Sequence, residues 1–451
     1  MPRTPNVILI NCDDLGWGDL ACYGHPVHKT PYLDRLAAEG MRFTDFYMAS
    51  PVCSPSRGAM LTGCYPKRIG FGEFDGHWVL FPGNPIGLNP EETTVAGALK
   101  DEGYATRIIG KWHCGDQPEF LPTRHGFDGY YGIPYSNDMG RQVGKTDWPP
   151  LPLLRDEAVI EAQPDQVTIT ERYVEDAIGF LRENRDRPFF LYFAHMYVHH
   201  PIYVQERFLR ESENGPYGAA VAAIDWATGA LMAELARLGL DDDTIVMFTS
   251  DNGSRADFGP SNGHLRGRKG TTWEGGQRVP LIVRWPGHVP AGREETGIAS
   301  SIDLFPTIAA LTGASLPAER TIDGLDLSAL LTGKTDASPR ESFYYYHRDE
   351  LEAVRSRDWK LHFRKDGEPV DELYNLRDDP GETTNRYAEE PSLVAAISEL
   401  ADAARYDLGD KATGDPGNVR TIGRVSEGAT LTTYDPNHPY YLAEYDLDDR
   451  G

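Results

Sequence analysis

The chain has 451 residues, of which 40% are hydrophobic and 11% aromatic, as in a globular protein with room for one large domain and a smaller one. Its formal net charge of −25, with no long basic run to offset it, argues against binding to nucleic acid or to anionic membranes. No sequence window approaches the ~20 apolar residues of a membrane span, and no apolar leader precedes the first predicted strand. The chain as given is therefore expected to be soluble and cytoplasmic, or periplasmic or secreted if a leader was removed.

Five cysteines lie in the first quarter of the chain. They are Cys12, Cys22, Cys53, Cys64 and Cys114. An odd number confined to one segment of a large chain does not predict a disulfide framework.

The first predicted strand, residues 7–10, is a continuous apolar run, which is typical of a strand buried on both faces. It is followed by Asp13 and Asp14. A carboxylate pair at the carboxyl end of a buried strand lies where open α/β sheets bind ligands, although a polar turn explains it equally well. A helix over residues 30–39 and an extended segment over 42–48 are predicted next.

The stretch from Cys53 to Gly63 predicts a short helix with a cysteine at its start. Ser54 is a good N-cap, Pro55 suits the first turn, and Gly63 is suited to end the helix. Cys53 and Arg57 would then share the helix N-terminus, where free N–H groups and the helix dipole attract anions. A buried structural cysteine is the commoner role for an isolated residue, so a catalytic role depends on partners elsewhere.

Three later strands are also predicted to end in polar side chains. They span residues 105–109, 188–194 and 244–249, and are followed by Lys111 and His113, by His195, His199 and His200, and by Asp251 and Asn252. A basic, glycine-rich loop that contains Lys269 comes after the last of them. Three histidines in six residues suggest zinc by composition, but the strand before them and the following Pro201 argue against a helical pair of zinc ligands.

Strands and helices alternate along most of the chain, which predicts an α/β fold with a large, mostly parallel sheet and helices on both faces. Residues 134–168 are rich in proline and are predicted to be an irregular surface excursion. After about residue 340, short strand-like segments predict a small α+β subdomain with an antiparallel sheet. We therefore divide the chain into a catalytic domain, 1–340, and a C-terminal subdomain with an acidic tail, 341–451.

Because the carboxyl ends of parallel strands meet at one rim of a sheet, these polar groups are expected to form one site. The oxygen ligands are Asp13, Asp14, Asp251 and Asn252. Such an oxygen-only set suits Ca²⁺ or Mg²⁺ rather than zinc. The cations that an anionic substrate needs in so acidic a protein are Arg57, Lys111 and Lys269. His113 and His199 are the candidates for proton transfer near neutral pH.

Several sequence blocks, spread over nearly the whole chain, carry a family resemblance. Residues 53–63 fit the pattern C-x-P-S-R-x-x-x-L-T-G, residues 110–113 read Gly-Lys-Trp-His, and residues 269–276 read Lys-Gly-Thr-Thr-Trp-Glu-Gly-Gly. Residues 372–375 read Glu-Leu-Tyr-Asn. The chain thereby resembles the formylglycine-dependent (type I) sulfatases of the alkaline phosphatase superfamily, particularly the arylsulfatase and N-acetylgalactosamine-6-sulfatase branch. The first block resembles that family's cysteine-type maturation signature.

The resemblance implies that a maturation enzyme oxidises Cys53 to formylglycine, whose hydrate, a gem-diol, is the nucleophile. It further implies a site for Ca²⁺, with Mg²⁺ or Mn²⁺ possible, and a covalent enzyme–sulfate intermediate. The metal ligands would be Asp13, Asp14, Asp251, Asn252 and an oxygen of residue 53. Arg57 would hold the diol, Lys111 and Lys269 would bind sulfate oxygens, His199 with Lys269 would assist the leaving alcohol, and His113 would deprotonate the second hydroxyl. The implied substrate is a small-molecule or carbohydrate sulfate ester.

Three other functions were weighed against this hypothesis. A thiol enzyme would use Cys53 as a thiolate with His113, but it leaves the carboxylates unexplained. A phosphonate monoester or phosphodiester hydrolase could use the same formylglycine and metal site, and the sequence does not exclude it. A catalytically silent binding protein would have lost a site residue, whereas every expected position is filled.

The leaving-group pocket is assigned from loops that are expected to surround the site. Its predicted residues are Glu73, Asp75, His77 and Trp78, the segment 135–138, and, if the small subdomain packs over the entrance, His347 and Arg355. Polar groups with aromatic platforms suit a sugar sulfate, while a simple aryl sulfate would serve as a generic substrate.

Overall fold

The structure is a computed structural model that describes residues 4–142, 144–255, 261–365 and 367–440. The end of the predicted acidic tail, 441–451, lies outside the described residues.

The strands are numbered in chain order. They are β1 (Asn6–Cys12), β2 (Met41–Tyr47), β3 (Ile86–Gly87), β4 (Ala105–Gly110), β5 (Gly129–Gly132), β6 (Pro152–Arg155), β7 (Ala158–Ala162), β8 (Phe189–Ala194), β9 (Thr244–Ser250), β10 (Arg278–Arg284), β11 (Arg293–Glu295), β12 (Ala299–Ser300), β13 (Ser342–His347), β14 (Glu350–Ser356), β15 (Trp359–Lys365), β16 (Glu368–Asn375) and β17 (Gly423–Arg424).

The α-helices are numbered in the same way. They are α1 (Pro31–Ala38), α2 (Cys53–Thr62), α3 (Val95–Asp101), α4 (Ile169–Glu183), α5 (Glu206–Leu209), α6 (Gly215–Leu238), α7 (Glu274–Gln277), α8 (Leu304–Thr312), α9 (Ser328–Leu331) and α10 (Pro391–Leu408).

The main sheet has 11 strands in the order β11-β2-β10-β9-β1-β8-β4-β5-β6-β7, with β12 beside β2. Strands β9, β1, β8, β4 and β5 run parallel, and β10 is antiparallel to both of its neighbours. Successive side chains of β1 face opposite helical layers. Val7 and Leu9 belong to one core cluster with residues of α2, α3 and α8, whereas Ile8 and Ile10 belong to another with residues of α1, α4 and α6. The predicted α/β class, with helices on both faces of a mostly parallel sheet, is confirmed.

The C-terminal part forms an antiparallel sheet in the order β13-β14-β15-β16, against which α10 packs. This is the α+β arrangement that the change of sequence pattern predicted. The domain boundary at residue 340 stays a prediction.

Two local predictions were wrong. Residues 134–168 are not wholly irregular, because β6 and β7 form a hairpin that extends one edge of the main sheet. The prolines of this stretch led to the prediction of an irregular segment. The outer strand β7 is also largely exposed, so its sequence has little apolar pattern. In α2 the N-cap position is occupied by Val52 rather than Ser54, and the Ser54 hydroxyl accepts a hydrogen bond from the Leu80 N–H instead (3.1 Å).

Helix α6 is long and apolar enough to cross a membrane by length and composition, contrary to the expectation from the sequence windows. However, 67% of its apolar window is buried inside the protein, where it packs against α1, α4 and α5. Such burial is typical of a core helix.

A buried network of charges joins the C-terminal sheet to α7. The Lys360 ammonium on β15 lies 3.0 Å from a carboxylate oxygen of both Glu274 and Glu382. Burial alone would raise the pKa of Glu274, but the positive charges of Lys360 and Arg278 hold it at about 2. Glu382 accepts a hydrogen bond from the Glu274 N–H (2.8 Å) and so caps the start of α7. The C-terminal sheet therefore fixes the segment that follows Lys269.

Replacing Lys360 by Met should destabilise the protein by about 3–5 kcal/mol, because two buried carboxylates would lose their shared cation. The free energy of unfolding in denaturant measures the change. Lys334→Met, at an exposed position, is the matched control and should change the stability by less than about 0.5 kcal/mol. Equal effects of the two substitutions would contradict a role for the buried network.

Candidate active site

Four adjacent strands of the main sheet, in the order β9-β1-β8-β4, deliver the predicted site residues to one rim. Because these strands are parallel, their carboxyl ends lie together. Asp13 and Asp14 follow β1, Asp251 and Asn252 follow β9, Lys111 and His113 follow β4, and His199 follows β8. The structure thus brings together residues that are up to 239 positions apart, Asp13 and Asn252 among them.

Helix α2 places Cys53 and Arg57 against this rim. Every residue of α2 is buried, and Gly63 ends the helix in the left-handed conformation (φ 67°). The Cys53 thiol donates to Asp13 Oδ1 (3.3 Å). Arg57 donates through Nε to Asp251 Oδ2 (2.8 Å) and through Nη1 to the Lys111 carbonyl (2.7 Å). Arg57 therefore ties the ends of β9 and β4 to the helix that carries Cys53.

The acidic residues and residue 53 form a compact donor set that could hold a metal ion. One ligand atom from each of Asp13, Asp14, Cys53 and Asp251 lies within 4.8 Å of the others. The Oδ1 atom of Asn252 is buried and accepts no hydrogen bond from the residues that the structure describes. A buried carbonyl oxygen beside three carboxylates fits a hard divalent cation such as Ca²⁺ or Mg²⁺.

Two lysines neutralise part of this negative charge. The Lys111 ammonium donates to Asp13 (2.5 Å) and to the Ser136 hydroxyl (2.6 Å). The Lys269 ammonium donates to Asp14 (2.9 Å). Burial would lower the pKa of each lysine, but the adjacent aspartate raises it, so both amines stay protonated. They are therefore fixed positive charges beside residue 53.

The charge around residue 53 argues against the thiol-enzyme alternative. Burial raises the pKa of the Cys53 thiol well above its ordinary value, and the negative charge of Asp13 is the second cause of this shift. A reactive thiolate requires the opposite shift. The same pattern is seen at Asp251. Burial and the negative charge of Asp13 raise the pKa of Asp251 to about 7.

The two candidate histidines contact the site from different sides. His113 Nε2 donates to the Leu80 carbonyl (3.0 Å), which leaves Nδ1 unprotonated and, among the described residues, without a hydrogen-bond partner. Burial and the charge of Lys111 lower the pKa of His113 well below its ordinary value. His199 Nδ1 donates to the His200 carbonyl (2.6 Å), and its Nε2 lies 3.9 Å from Asp14 Oδ2. Burial and the Lys269 charge lower the pKa of His199, and Asp14 opposes them.

His195, which directly follows β8 in the same segment as His199, is buried and packs into the core. Its ring packs edge-on against Phe193 at 4.7 Å between centroids, and burial lowers its pKa to about 3.

Some of the residues that were predicted to line the leaving-group pocket lie near the site entrance, and others do not. Trp78 is 41% exposed, and a Cβ atom at Gly270 would lie 3.3 Å from its indole, so it borders the Lys269 loop. Ser136 binds Lys111 rather than facing a free pocket. The prediction for Arg355 was wrong, because this side chain is buried and pairs with Asp45 (2.7 Å). Arg355 lies in the buried middle part of β14.

Glu73 and Asp75 of the same predicted pocket are each paired with a cation. Glu73 binds Lys411 (2.6 Å) and Asp75 binds Arg424 (3.0 Å). These pairs tie the loop to the C-terminal segment.

Two contacts at this rim were missed by the sequence reasoning. The Leu80 carbonyl, which orients His113, is a main-chain atom and leaves no signal in residue type. Arg348 lies over the Trp78 ring at 5.4 Å, and only the turn between β13 and β14 brings it there. Its neighbour His347 was predicted near the entrance, and its ring lies 6.0 Å from that of Trp78.

Comparison with known proteins gives a consistent result. The family model described as Sulfatase matches residues 5–314, and the model described as N-sulphoglucosamine sulphohydrolase, C-terminal, matches residues 268–404. Arylsulfatase A of Homo sapiens is 43% identical over 449 residues, which cover 88% of this chain and 87% of the relative. N-acetylgalactosamine-6-sulfatase of Canis lupus familiaris is 41% identical over 379 residues, with 80% of this chain and 72% of the relative covered.

A solved structure agrees over the whole fold. The PsFucS1 sulfatase from Pseudoalteromonas sp. superposes with a TM-score of 0.82 at 29% identity, covering 93% of this chain and 92% of that one. The alkaline phosphatase-like architecture expected from the resemblance is thus confirmed. The chain belongs to the sulfatase family and is a sulfuric ester hydrolase.

Proposed function

We propose that this protein hydrolyses an aryl sulfate or a sulfated carbohydrate through a formylglycine at position 53. The observation that carries the proposal is the setting of Cys53 in a sulfatase chain. Its thiol is buried, protonated and held against Asp13, with the ammonium groups of Lys111 and Lys269 on the neighbouring carboxylates. An oxygen nucleophile at this position would meet the sulfate group among fixed positive charges. The substrate class follows the names of the relatives.

The first step transfers the sulfo group to residue 53. A hydroxyl of the aldehyde hydrate gives up its proton to water, the resulting alkoxide attacks sulfur, and the bond between sulfur and the leaving oxygen breaks. Lys111 and Lys269 stabilise the charge on the sulfate oxygens. His199 in its protonated form, which the charge of Asp14 favours against burial and Lys269, gives its Nε2 proton to the leaving alcohol.

The second step releases inorganic sulfate. His113 takes the proton of the remaining hydroxyl at Nδ1, the nitrogen that its bond to Leu80 leaves unprotonated. The carbon–oxygen bond to sulfate then breaks and the aldehyde reforms, after which water restores the hydrate. A serine at the same position would instead need water to attack its sulfate ester, so the second hydroxyl is what permits turnover.

A divalent cation, when bound by Asp13, Asp14, Asp251 and Asn252, would polarise the sulfate and favour the ionised form of the attacking hydroxyl. We propose that this ion is Ca²⁺. Arg57 donates to Asp251 and so holds this proposed ligand in place.

The purified protein, produced in its native host, should turn over 4-nitrophenyl sulfate faster than the matching aryl phosphonate monoester. Mass spectrometry of the peptide containing residue 53 should find formylglycine. Cys53→Ala should lower kcat by roughly 10⁴-fold or more, because it removes the nucleophile. If the active protein contains only unmodified cysteine at position 53, the formylglycine mechanism is wrong. If the protein prefers the phosphonate, the proposed substrate class is wrong.

His199→Ala should reveal which histidine protonates the leaving group. For a sugar sulfate, whose alkoxide needs a proton, kcat/KM should fall by roughly 10²-fold. For 4-nitrophenyl sulfate the loss should be smaller, because the phenolate leaves without protonation. His195→Asn is the control and should not change the ratio between the two substrates, and a ratio that also stays unchanged in His199→Ala would refute the assignment.

Asn252→Ala should weaken cation binding in a way that does not depend on turnover. Ca²⁺ at 100 times its dissociation constant should stabilise the wild-type protein by about 2.7 kcal/mol. The variant should need a higher Ca²⁺ concentration for the same rise in Tm, because it loses one buried oxygen ligand. The control Asn418→Ala, at an exposed site, should show the same dependence of Tm on Ca²⁺ concentration as the wild type. If Asn252→Ala also shows the wild-type dependence, Asn252 is not a ligand.

A further inference from the structure

Trp78 lies at the rim of the candidate active site, beside the loop that carries Lys269. Two residues further along, Leu80 bonds to both Ser54 and His113 through its main chain. On the other side, the indole borders Gly270, the residue after Lys269. Trp78 is 41% exposed, so part of its apolar surface is open to a ligand at the rim.

Arg348 packs on this ring from the turn between β13 and β14. Its guanidinium carbon lies 5.4 Å from the centroid of the Trp78 ring, which is within cation–π distance. Its Nε atom is buried and has no hydrogen-bond partner among the described residues. An arginine has five N–H donors, and a desolvated donor without an acceptor is unfavourable. The guanidinium is thus held at the rim, and its Nε donor is unused among the described residues.

The acidic groups near Arg348 are already paired with other cations. Asp349 pairs with Lys67, Glu350 with Arg364, Glu352 with Lys365, Glu73 with Lys411, and Asp75 with Arg424. No carboxylate in the described part of the chain forms an ion pair with Arg348. In a protein with a formal charge of −25, an uncompensated cation beside the active site points to an anionic ligand.

We propose that Trp78 and Arg348 form a subsite for a leaving alcohol that carries a second anionic group. The ring of the alcohol, an aromatic ring or the apolar face of a sugar, lies on the indole. Its carboxylate or additional sulfate group accepts hydrogen bonds from the guanidinium, which suits either planar or tetrahedral oxyanions. This inference rests on the proposed sulfatase function and narrows its substrates to sulfate esters with a second negative charge.

The test compares matched substrates in the wild type and in Arg348→Gln. One pair is 4-nitrophenyl sulfate with and without a ring carboxylate, and the other is N-acetylgalactosamine 6-sulfate with and without a second sulfate. The ratio of kcat/KM for the dianionic over the monoanionic member of a pair should fall about tenfold in the variant, as expected for one charged hydrogen-bonded contact. The pair that responds identifies the second anion as a carboxylate or a sulfate. A ratio that does not change in either pair overturns the proposal.

Two further variants separate charge from structure. Arg348→Lys keeps the charge and should retain part of the ratio, which a purely structural role would not predict. Arg424→Gln removes an arginine of the same rim that is already paired with Asp75, and it should leave the ratio as in the wild type.

Binding of the desulfated alcohols, measured by calorimetry, tests the subsite without turnover. The wild type should bind the carboxylated phenol about tenfold more tightly than the uncharged one, and Arg348→Gln should lose this preference. Loss of the preference in a protein that hydrolyses no sulfate ester would support the subsite and reject the proposed function. Equal binding of both phenols by the wild type would reject the subsite alone.

Discussion

The mutual repulsion of three buried carboxylates is the constraint on which the rest of the structure depends. Asp13, Asp14 and Asp251 converge at one point because they follow neighbouring parallel strands. Like charges in a buried site cannot all remain ionised unless cations oppose them. Arg57, Lys111 and Lys269 therefore come from a helix, a strand end and a loop to the same place. Lys360 of the C-terminal sheet pairs with Glu382, which caps the segment after Lys269, so this sheet also supports the position of Lys269.

This balance also explains how an acidic protein can accept an anionic substrate. The net charge of −25 repels anions at long range, but salt screens that field over about 10 Å. Within the site, the two ammonium groups lie in a buried environment where screening is weak and their attraction is strong. The guanidinium of Arg348, which pairs with no carboxylate of the described residues, extends the positive region outward to the rim. Local charge placement, rather than net charge, thus determines what the site can bind.

Much of this arrangement could be predicted from the sequence, and the reason is geometric. Asp13, Lys111, His199 and Asp251 follow apolar runs in the sequence. Their meeting at one rim could be predicted from the rule that parallel strands share a carboxyl edge. The edge hairpin of β6 and β7 was missed because an exposed edge strand has little apolar signal, and the cap assigned to Ser54 was wrong because tertiary contact with Leu80 overrode local preference. Arg355 was assigned to the entrance and Arg348 was not considered, because only the turn between β13 and β14 decides which of the two arginines faces the rim.

The complete burial of α2 has a consequence for how the protein is made. Cys53 and the nine residues after it form a helix with no exposed member, packed beneath the sheet rim and the loop of Lys269. On the proposed chemistry, another enzyme has to read this segment and act on its cysteine. It cannot do so once the chain has closed around it, so oxidation must occur on the nascent or unfolded polypeptide. Activation would then be a matter of timing during biosynthesis, and a molecule that folds first would remain inactive for its lifetime.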